Sequence, residues 1–458
     1  MAKFFHHALK FRKEICIGCS HCMNVCPTQA IRIHGGKAEL TDNRCIDCGK
    51  CYMVCPVGAI IVEQDDFSRI FDYTHRVALI PNILLGQFPA GVSISQICSV
   101  LMEAGFTHIF EVEHGTRVLE EAMKKMMDDR ELPRPLISTF CPAIVRLIQV
   151  RFPMFTNNLM LLKAPLDMAA MYYRRKLEEE GADPDDTGVF YITPCAAKIA
   201  AIKSPVGEET SPISGVINMD FIYNKIYTKV KQGFTGKGSC CLPAMQPLQP
   251  EEMVWSLTEG ESERMPGRTL AIDEVSNVIE FLEKMENEEI SDIDFLELRA
   301  CDQSCAGGIL TSGNRFFTVE RLRKRAEEAA RGNDSVIYDT TGDCISDHSD
   351  YLNDHLKVTQ IKPRAMDKLD EDMEQAMHKM RKVQEIMKDL PYVDCGICGS
   401  PTCNSLAEDI VQGEANVNQC IYVQKRWEQE GKLQPRDSME ILKKIWGEDK
   451  FGEKEGRG

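Results

Sequence analysis

The sequence predicts a multi-domain α/β protein: a small α+β domain over 1–62, an α/β domain over 76–345, a Met-rich helical linker over 364–390, a small cysteine domain over 391–432 and a tail over 433–458. Three observations predict it. One cysteine spacing is written twice within 14–58. Apolar, strand-like runs then alternate with amphipathic helical ones through the middle of the chain, the pattern of βα units with some parallel pairing. A last cysteine group follows the helix breaker Pro391.

Composition sets the bounds. At 458 residues, with 43% hydrophobic and 27% charged, the chain is globular and long enough for several domains. A net charge of −16 argues against nucleic acid or an anionic membrane as partner. No apolar run reaches the length of a bilayer span. The first 13 residues are basic, contain His6 and His7 and lack an apolar core, so no secretory signal and a cytoplasmic location are expected. Twenty cysteines in a reducing compartment point to metal ligands rather than disulfides.

The doubled spacing is Cys16, Cys19, Cys22, Cys26-Pro27 and then Cys45, Cys48, Cys51, Cys55-Pro56, which is C-x2-C-x2-C-x3-C-P twice. In this bacterial ferredoxin pattern the fourth cysteine of each run ligates the other cluster. One 4Fe–4S cluster is therefore expected on Cys16, Cys19, Cys22 and Cys55, and its twin on Cys26, Cys45, Cys48 and Cys51. The doubling weighs against zinc. The expected activity of this segment is one-electron transfer.

A polar connector over 63–72 leads into the α/β domain. A buried strand is expected over 77–80, closed by Pro81, and Ser93 with Gln96 forms a capping box for a helix stopping at Gly105. A strand over 108–112 and a helix over 116–127 follow. Three further strand candidates end in cysteine: 136–140 at Cys141-Pro142, 189–193 at Pro194-Cys195, and 295–298 at Cys301 and Cys305. Ligands of open α/β sheets sit beyond the carboxyl ends of strands, so these four thiols are expected to converge on one buried cofactor. The four-residue spacing of Cys301 and Cys305 predicts one side of a helical turn, and Gly307 and Gly308 are expected to let a bulky inorganic group approach the backbone. Lys198 falls in the first turn of a predicted helix, where a cation opposes the helix dipole. It is either a solvated lysine or the partner of an anion held at Cys195.

The remaining stretches say less. Cys98, Cys240, Cys241 and Cys344 stand outside the groups, and Cys344 with His348 is too sparse for a metal site. A charged amphipathic helix is expected over 274–288, and Thr318 is expected to cap a helix ending at Arg331-Gly332. Met366, Leu369, Met373, Ala376, Met380, Val383, Met387 and Leu390 keep an a/d register, which fits a homodimeric coiled coil or a helix packed on its own domain. Cys395, Cys398, Cys403 and Cys420 form a last ligand set, with 4Fe–4S expected and zinc as the alternative. The tail holds one amphipathic segment over 438–446 and then charged disorder.

Taken together, these motifs resemble the iron-only (FeFe) hydrogenases, and the final cysteine domain and Met-rich helix are similar to the sensory branches of that family. The signature segments are similar to Thr139-Phe140-Cys141-Pro142, Thr193-Pro194-Cys195-Ala196-Ala197-Lys198 and the run from Ala300 through Cys301 and Cys305 to Gly308. The resemblance implies a ferredoxin-like domain, an H-cluster domain and three accessory 4Fe–4S clusters. It implies an H-cluster held by Cys141, Cys195, Cys301 and Cys305, with Cys305 bridging to a diiron unit that carries CO, cyanide and an azadithiolate. Lys198 would bond a cyanide, and Pro81 would line the pocket. The implied reaction interconverts hydrogen with two protons and two electrons. The implied partners are a ferredoxin, signalling or diaphorase protein and the maturation proteins that build the diiron unit.

The departures bear on rate. Where fast members carry a proton-relaying cysteine, this chain has Phe140. Ala164 stands for a relay serine, Lys124 for an outer glutamate, and only Glu121 matches. Thr193 and Arg299 replace pocket methionines, and Arg299 is expected to add positive charge beside an anionic cluster. The leading expectation is a low-turnover enzyme with a hydrogen- or redox-sensing role, with no PAS-like domain following. A catabolic hydrogenase with another proton path, through Glu111, Glu113 or the loop near Asp302, is the second. A non-catalytic Fe–S assembly scaffold is the third, and intact Lys198 and Cys305 weigh against it.

Overall fold

The structure is a computed structural model, and it describes residues 5–89, 91–232, 247–332, 345–364, 369–370 and 372–452, with the backbone alone at Met373. Cys240, Cys241, Cys344, Met366 and the charged tail from 453 onward lie outside the described residues. The chain forms two compact units, one of Met1–Ala8 with Glu63–Pro363 and one of Leu9–Val62 with Arg364–Gly458.

The larger unit is built on two parallel sheets. The first orders its strands His108–Glu111, His75–Ile80, Thr187–Thr193 and Gly215–Asn218. Every residue of Thr187–Thr193 is buried, as expected of a parallel strand covered on both faces. The second orders Thr269–Ile272, Phe295–Leu298 and Leu136–Ile137. Because the strands within each sheet are parallel, their carboxyl ends share an edge. All three cysteine-bearing strands therefore deliver their thiols just beyond such an edge.

Several local expectations meet a correction. The strand expected over 136–140 stops at Ile137. Beyond it Phe140 N–H bonds the Ser138 hydroxyl at 3.1 Å, and the Thr139 hydroxyl donates to the Met160 and Leu162 carbonyls, so the backbone turns out of the sheet toward Cys141. Ser93 and Gln96 form the capping box, and their helix runs Ile94–Glu103 before Gly105 at φ +126°. Thr318 does not cap its helix. Asn314 does, accepting from Phe316 N–H at 3.0 Å and Phe317 N–H at 3.4 Å. Thr318 lies inside Arg315–Ala330, buried, with its hydroxyl on the Asn314 carbonyl. The connector over 63–72 is ordered by Asp65, whose carboxylate takes Val216 N–H at 2.8 Å and Lys203 at 2.5 Å.

In the smaller unit Leu9–Phe11 pairs antiparallel with Ile60–Val62, and Ile31–His34 with Lys37–Leu40. Short helices His21–Asn24 and Lys50–Val54 carry Cys22 and Cys51 in matching places. The helix Met373–Met387 packs on Cys403–Gln412, and Leu369, Val383 and Leu390 join Leu406, Ala407 and Val423 in one apolar cluster. Those three are d positions of the expected seam, so that row is spent inside the lobe, while Met377 and Met380 stay exposed. The terminal segment is no loose tail. Its helix Pro435–Trp446 supplies the Lys444 and Ile445 carbonyls to Gly35 and Gly36 N–H, and the Trp446 indole donates to Ile397 O at 2.8 Å.

Candidate functional site

Cys141, Cys195 and Cys305 are brought together in the larger unit. Cys141 is the N-cap of helix Pro142–Arg151, and Cys195 is the N-cap of Ala196–Lys203. Cys305 sits in a single tight turn, Ser304–Gly307. Burial pushes the Cys195 thiol up to about 12, with Lys198 opposing and Cys305 and Cys141 adding to the rise. Burial likewise raises Cys141, with Cys305 contributing. Cys301 begins the same loop as Cys305, its carbonyl taken by Ser304 N–H at 3.1 Å. No helical turn joins the two cysteines, contrary to the spacing. Gln303 and Ser304 both adopt left-handed backbone, at φ 59° and 53°, and turn the chain instead. Gly307 and Gly308 also differ from expectation. What they admit is backbone: a Cβ on Gly307 would lie 1.9 Å from Asp302 O, and one on Gly308 2.5 Å from Pro194 O. Together they press the Cys305 loop against the end of the Cys195 strand.

Lys198 is buried, which removes the solvated alternative, and its ammonium donates to the Tyr191 hydroxyl at 3.2 Å. Burial alone would lower its pKa, but Cys305, Tyr191 and Cys195 more than offset that and hold it charged. Phe140 lies between two cations. Lys198 Nζ is 4.7 Å and the Arg299 guanidinium 3.8 Å from its ring centroid. Arg299 does not add bare positive charge. It pairs with Glu261 at 2.7 Å and Glu297 at 3.2 Å, both buried. Glu297 further accepts the N–H groups of Glu261 and Ser262 at 2.9 Å, and Ser138 donates to Glu261. One guanidinium offsets one carboxylate, so burial pushes Glu261 up to about 7, Arg299 opposing and Glu297 reinforcing. This cage went unread in the sequence, although a glutamate inside the apolar strand Phe-Leu-Glu-Leu was its signal.

Beside these groups lies a small cavity lined by Pro81, Glu113, Phe140, Ala164, Lys198, Trp255, Ser256 and Cys305. Three buried polar atoms in its wall lack a hydrogen-bond partner among the described residues: Glu113 Oε2, Trp255 Nε1 and Ser256 Oγ. Unpartnered buried donors beside a cation and thiols suit an anionic group with acceptor ligands, so the residues present fit an H-cluster. The pocket position Thr193 and the outer relay positions Glu121 and Lys124 diverge. Thr193 is buried and bonds the Cys195 backbone. Glu121 and Lys124 are both exposed, and Lys124 pairs with Glu120 at 2.6 Å. Neither lines the cavity.

In the smaller unit the thiols fall into three sets. Burial raises Cys22 to about 12, with Cys16 and Cys19 adding. Burial also raises Cys45, Cys48 and Cys51, and Cys26 contributes to all three. Backbone N–H groups point at four sulfurs: Ala38 at Cys16, Ala30 at Cys26, Asp47 at Cys45 and Ala59 at Cys55, at 3.2–3.4 Å. Such bonds stabilise thiolate ligands and tune cluster potential. Cys398 is raised to about 11 by burial, then by Cys420, Cys395 and Cys403, so the terminal set also converges.

Residues 78–220 match the family described as iron only hydrogenase large subunit, C-terminal domain; 8–56 match a 4Fe-4S dicluster domain, and 390–422 an Fe-S cluster family. The chain is 24% identical over 197 residues to the NADP-reducing hydrogenase subunit HndD of Solidesulfovibrio fructosivorans, covering 40% of this chain and 30% of that protein. A 38-residue stretch, 8% of this chain, is 53% identical to a subunit of the ion-translocating oxidoreductase complex of Rhodobacter capsulatus and covers 20% of it. The chain thus spans less than a third of either curated relative. Among solved structures, a variant of [FeFe]-hydrogenase HydA1 from Chlamydomonas reinhardtii matches with TM-score 0.46 and 16% identity, over 63% of this chain and 94% of that one. No helix among the described residues is long and apolar enough to cross a membrane. The matches bear out the resemblance read from the sequence and the fold class that followed from it.

Proposed function

From the iron-only hydrogenase domain at 78–220, we propose that this chain carries an H-cluster and interconverts hydrogen with protons and electrons, at low turnover and in a hydrogen- or redox-sensing role. The observation that carries the reading is the meeting of Cys141, Cys195 and Cys305 with buried Lys198 around a cavity whose wall holds unpartnered polar atoms. In this reading Cys141, Cys195, Cys301 and Cys305 would hold the H-cluster, which would supply the redox chemistry of the site. When bound, the group supplies the open iron site and the base at which hydrogen is split.

The chain's own residues do the rest. Lys198 is a fixed donor, held charged and aimed by Tyr191. Trp255 Nε1 and Ser256 Oγ are further donors for acceptor ligands in the cavity. Pro81, Phe140 and Ala164 keep water out. Cys16, Cys19, Cys22 and Cys55, then Cys26, Cys45, Cys48 and Cys51, and finally Cys395, Cys398, Cys403 and Cys420 would hold three 4Fe–4S clusters, which would supply one-electron transfer toward a redox partner. A homodimer through the Met-rich helix is not part of the reading, since Leu369, Val383 and Leu390 are already packed within the lobe.

Low turnover rests on Phe140, an apolar ring where a proton carrier is needed. Losing a positioned acid–base group costs about two to four orders of magnitude in rate. Infrared spectra of protein matured with a diiron precursor test the reading: bands of bound CO and cyanide are expected, and their absence overturns it. Phe140→Cys should raise turnover at least tenfold, and an unchanged rate removes this position as the limit. A catabolic enzyme is the second reading, favoured by one observation, the buried carboxyl of Glu113 in the cavity wall.

A further inference from the structure

We infer that protons reach and leave the cavity through Glu113 and Glu111, by a route that emerges beside Arg325. The inference rests on the hydrogenase reading above and names the acid–base residues that serve it.

Glu113 lies in the cavity wall with Cys305 and Lys198, and its side chain is almost wholly buried. Its Oε1 accepts the N–H of Asn82 at 3.0 Å, which fixes the carboxyl, while Oε2 has no hydrogen-bond partner among the described residues. Asn82 follows Pro81, another lining residue, so the same turn walls the cavity and holds the carboxyl in place. Behind it stands Glu111, last residue of its strand and buried. Arg325 grips both sides of the connection, donating to the Asn82 side-chain oxygen and, at 3.0 Å, to Glu111 Oε1. Glu111 Oε2 and Asn82 Nδ2 keep unused hydrogen-bonding capacity. Two acceptors and a donor are the partners that one bridging water needs.

The outer end is open. Arg325 also lines a second cavity together with Arg321, Lys324 and Glu328. Lys324 and Glu328 are 63% and 51% exposed, so this cavity faces solvent. A proton taken up at Glu113 Oε2 passes to the water and from it to Glu111 Oε2; one O–H bond forms as another breaks, and no electrons are exchanged. Arg325 stays charged throughout, and by holding Glu111 Oε1 it leaves Oε2 free to carry the proton. Burial, then the Asn82 N–H in opposition, Glu111 in support and Lys198 in opposition, set the Glu113 carboxyl at about 8. A group near neutrality both accepts and releases protons readily. Glu121 and Lys124, by contrast, are on the surface and line neither cavity.

The test has two arms. In the cluster-free protein, the parent-minus-Glu113→Gln infrared difference spectrum should contain the C=O stretch of a protonated carboxyl, and that band should shift on transfer to deuterated buffer within minutes. A difference spectrum without such a band, or with one that does not shift, overturns the route whether or not any diiron unit binds. In the matured protein, Glu113→Gln should lower hydrogen turnover in both directions by about a hundredfold. The bound CO and cyanide bands and the KM for hydrogen should stay as in the parent. Glu113→Asp should recover part of the rate, a rescue that a purely structural role would not give. Parent-like turnover in Glu113→Gln overturns the inference. Missing CO and cyanide bands in the parent strike the hydrogenase reading instead, and the carboxyl exchange then decides the route by itself.

Discussion

Arg299 shows how a single charge is managed in this core. A guanidinium beside Phe140 looks from its position like a device for adding positive charge near a cluster, yet two buried carboxylates claim it. Removing it leaves both carboxylates uncompensated. Arg299→Met should therefore cost about 3–5 kcal/mol of stability in chemical denaturation of the cluster-free protein. Adding Glu261→Gln should return part of that, because one carboxylate then no longer needs an ion partner. A single variant as stable as the parent would mean the cage is not closed in solution. The buried acids also set a pH dependence. Glu113 and Glu261 are raised to about 8 and about 7, so the folded chain keeps protons that the unfolded chain has released. Stability must then fall as pH rises through those values. His108 and His114 act the other way, since burial lowers both from 6.5, but only below that value. Between about pH 6.5 and 8 the acids dominate, at about 1.4 kcal/mol for each tenfold change in proton affinity. Urea midpoints at the two ends of that window should differ, and Glu113→Gln should narrow the difference.

At the scale of elements, legibility followed the physics of each signal. Buried parallel strands were readable because both faces are covered: Phe295–Leu298 stands where it was expected, and Thr187–Thr193 begins two residues before the run expected over 189–193. The Ser93 capping box was readable because the interaction is local. Thr318 was misread because Asn314, four residues earlier, presents the same kind of acceptor, and the Thr318 hydroxyl is instead engaged inside the helix, with the Asn314 carbonyl and the Gln87 amide. The cysteine loop was misread for a related reason: spacing gives a distance along the chain, not the backbone sign at Gln303 and Ser304. Its glycines matter more for the chain than for any ligand. Gly307→Ala would drive a methyl group into Asp302 O and open the loop that ends at Cys305. The expected result is loss of the iron share of one cubane in metal analysis, with the three accessory sets unchanged. Asn314→Ala should cost about 1 kcal/mol in denaturation, and Thr318→Ala should show no loss of a cap.

For the molecule as a whole, the smaller unit answers a question that spacing alone leaves open, namely where the terminal cysteine set stands among its neighbours. Arg32 binds Asp409 at 2.7 and 3.1 Å, and Arg44 binds Glu408 at 2.5 Å, all four side chains being nearly buried. Ile33 N–H bonds Gly399 O at 2.8 Å, extending the hairpin edge onto the cysteine loop. Gly396, inside that loop, faces Met23 so closely that an added Cβ would lie 2.9 Å from its terminal methyl, and Met23 adjoins Cys22. The terminal set and the set containing Cys22 are therefore packed against each other, and clusters on them would exchange electrons as neighbours. Reduced protein should then show electron paramagnetic resonance lines broadened by coupling between two 4Fe–4S spins. Cys398→Ser, which removes a terminal ligand, should sharpen the remaining signal. Arg32→Ala should break a buried ion pair at a cost of about 3–5 kcal/mol and weaken the coupling while iron content stays the same. Spectra that add up as independent clusters, unchanged by either substitution, would show that the terminal set does not report on its neighbour. In that case its part in sensing would have to run through a partner instead.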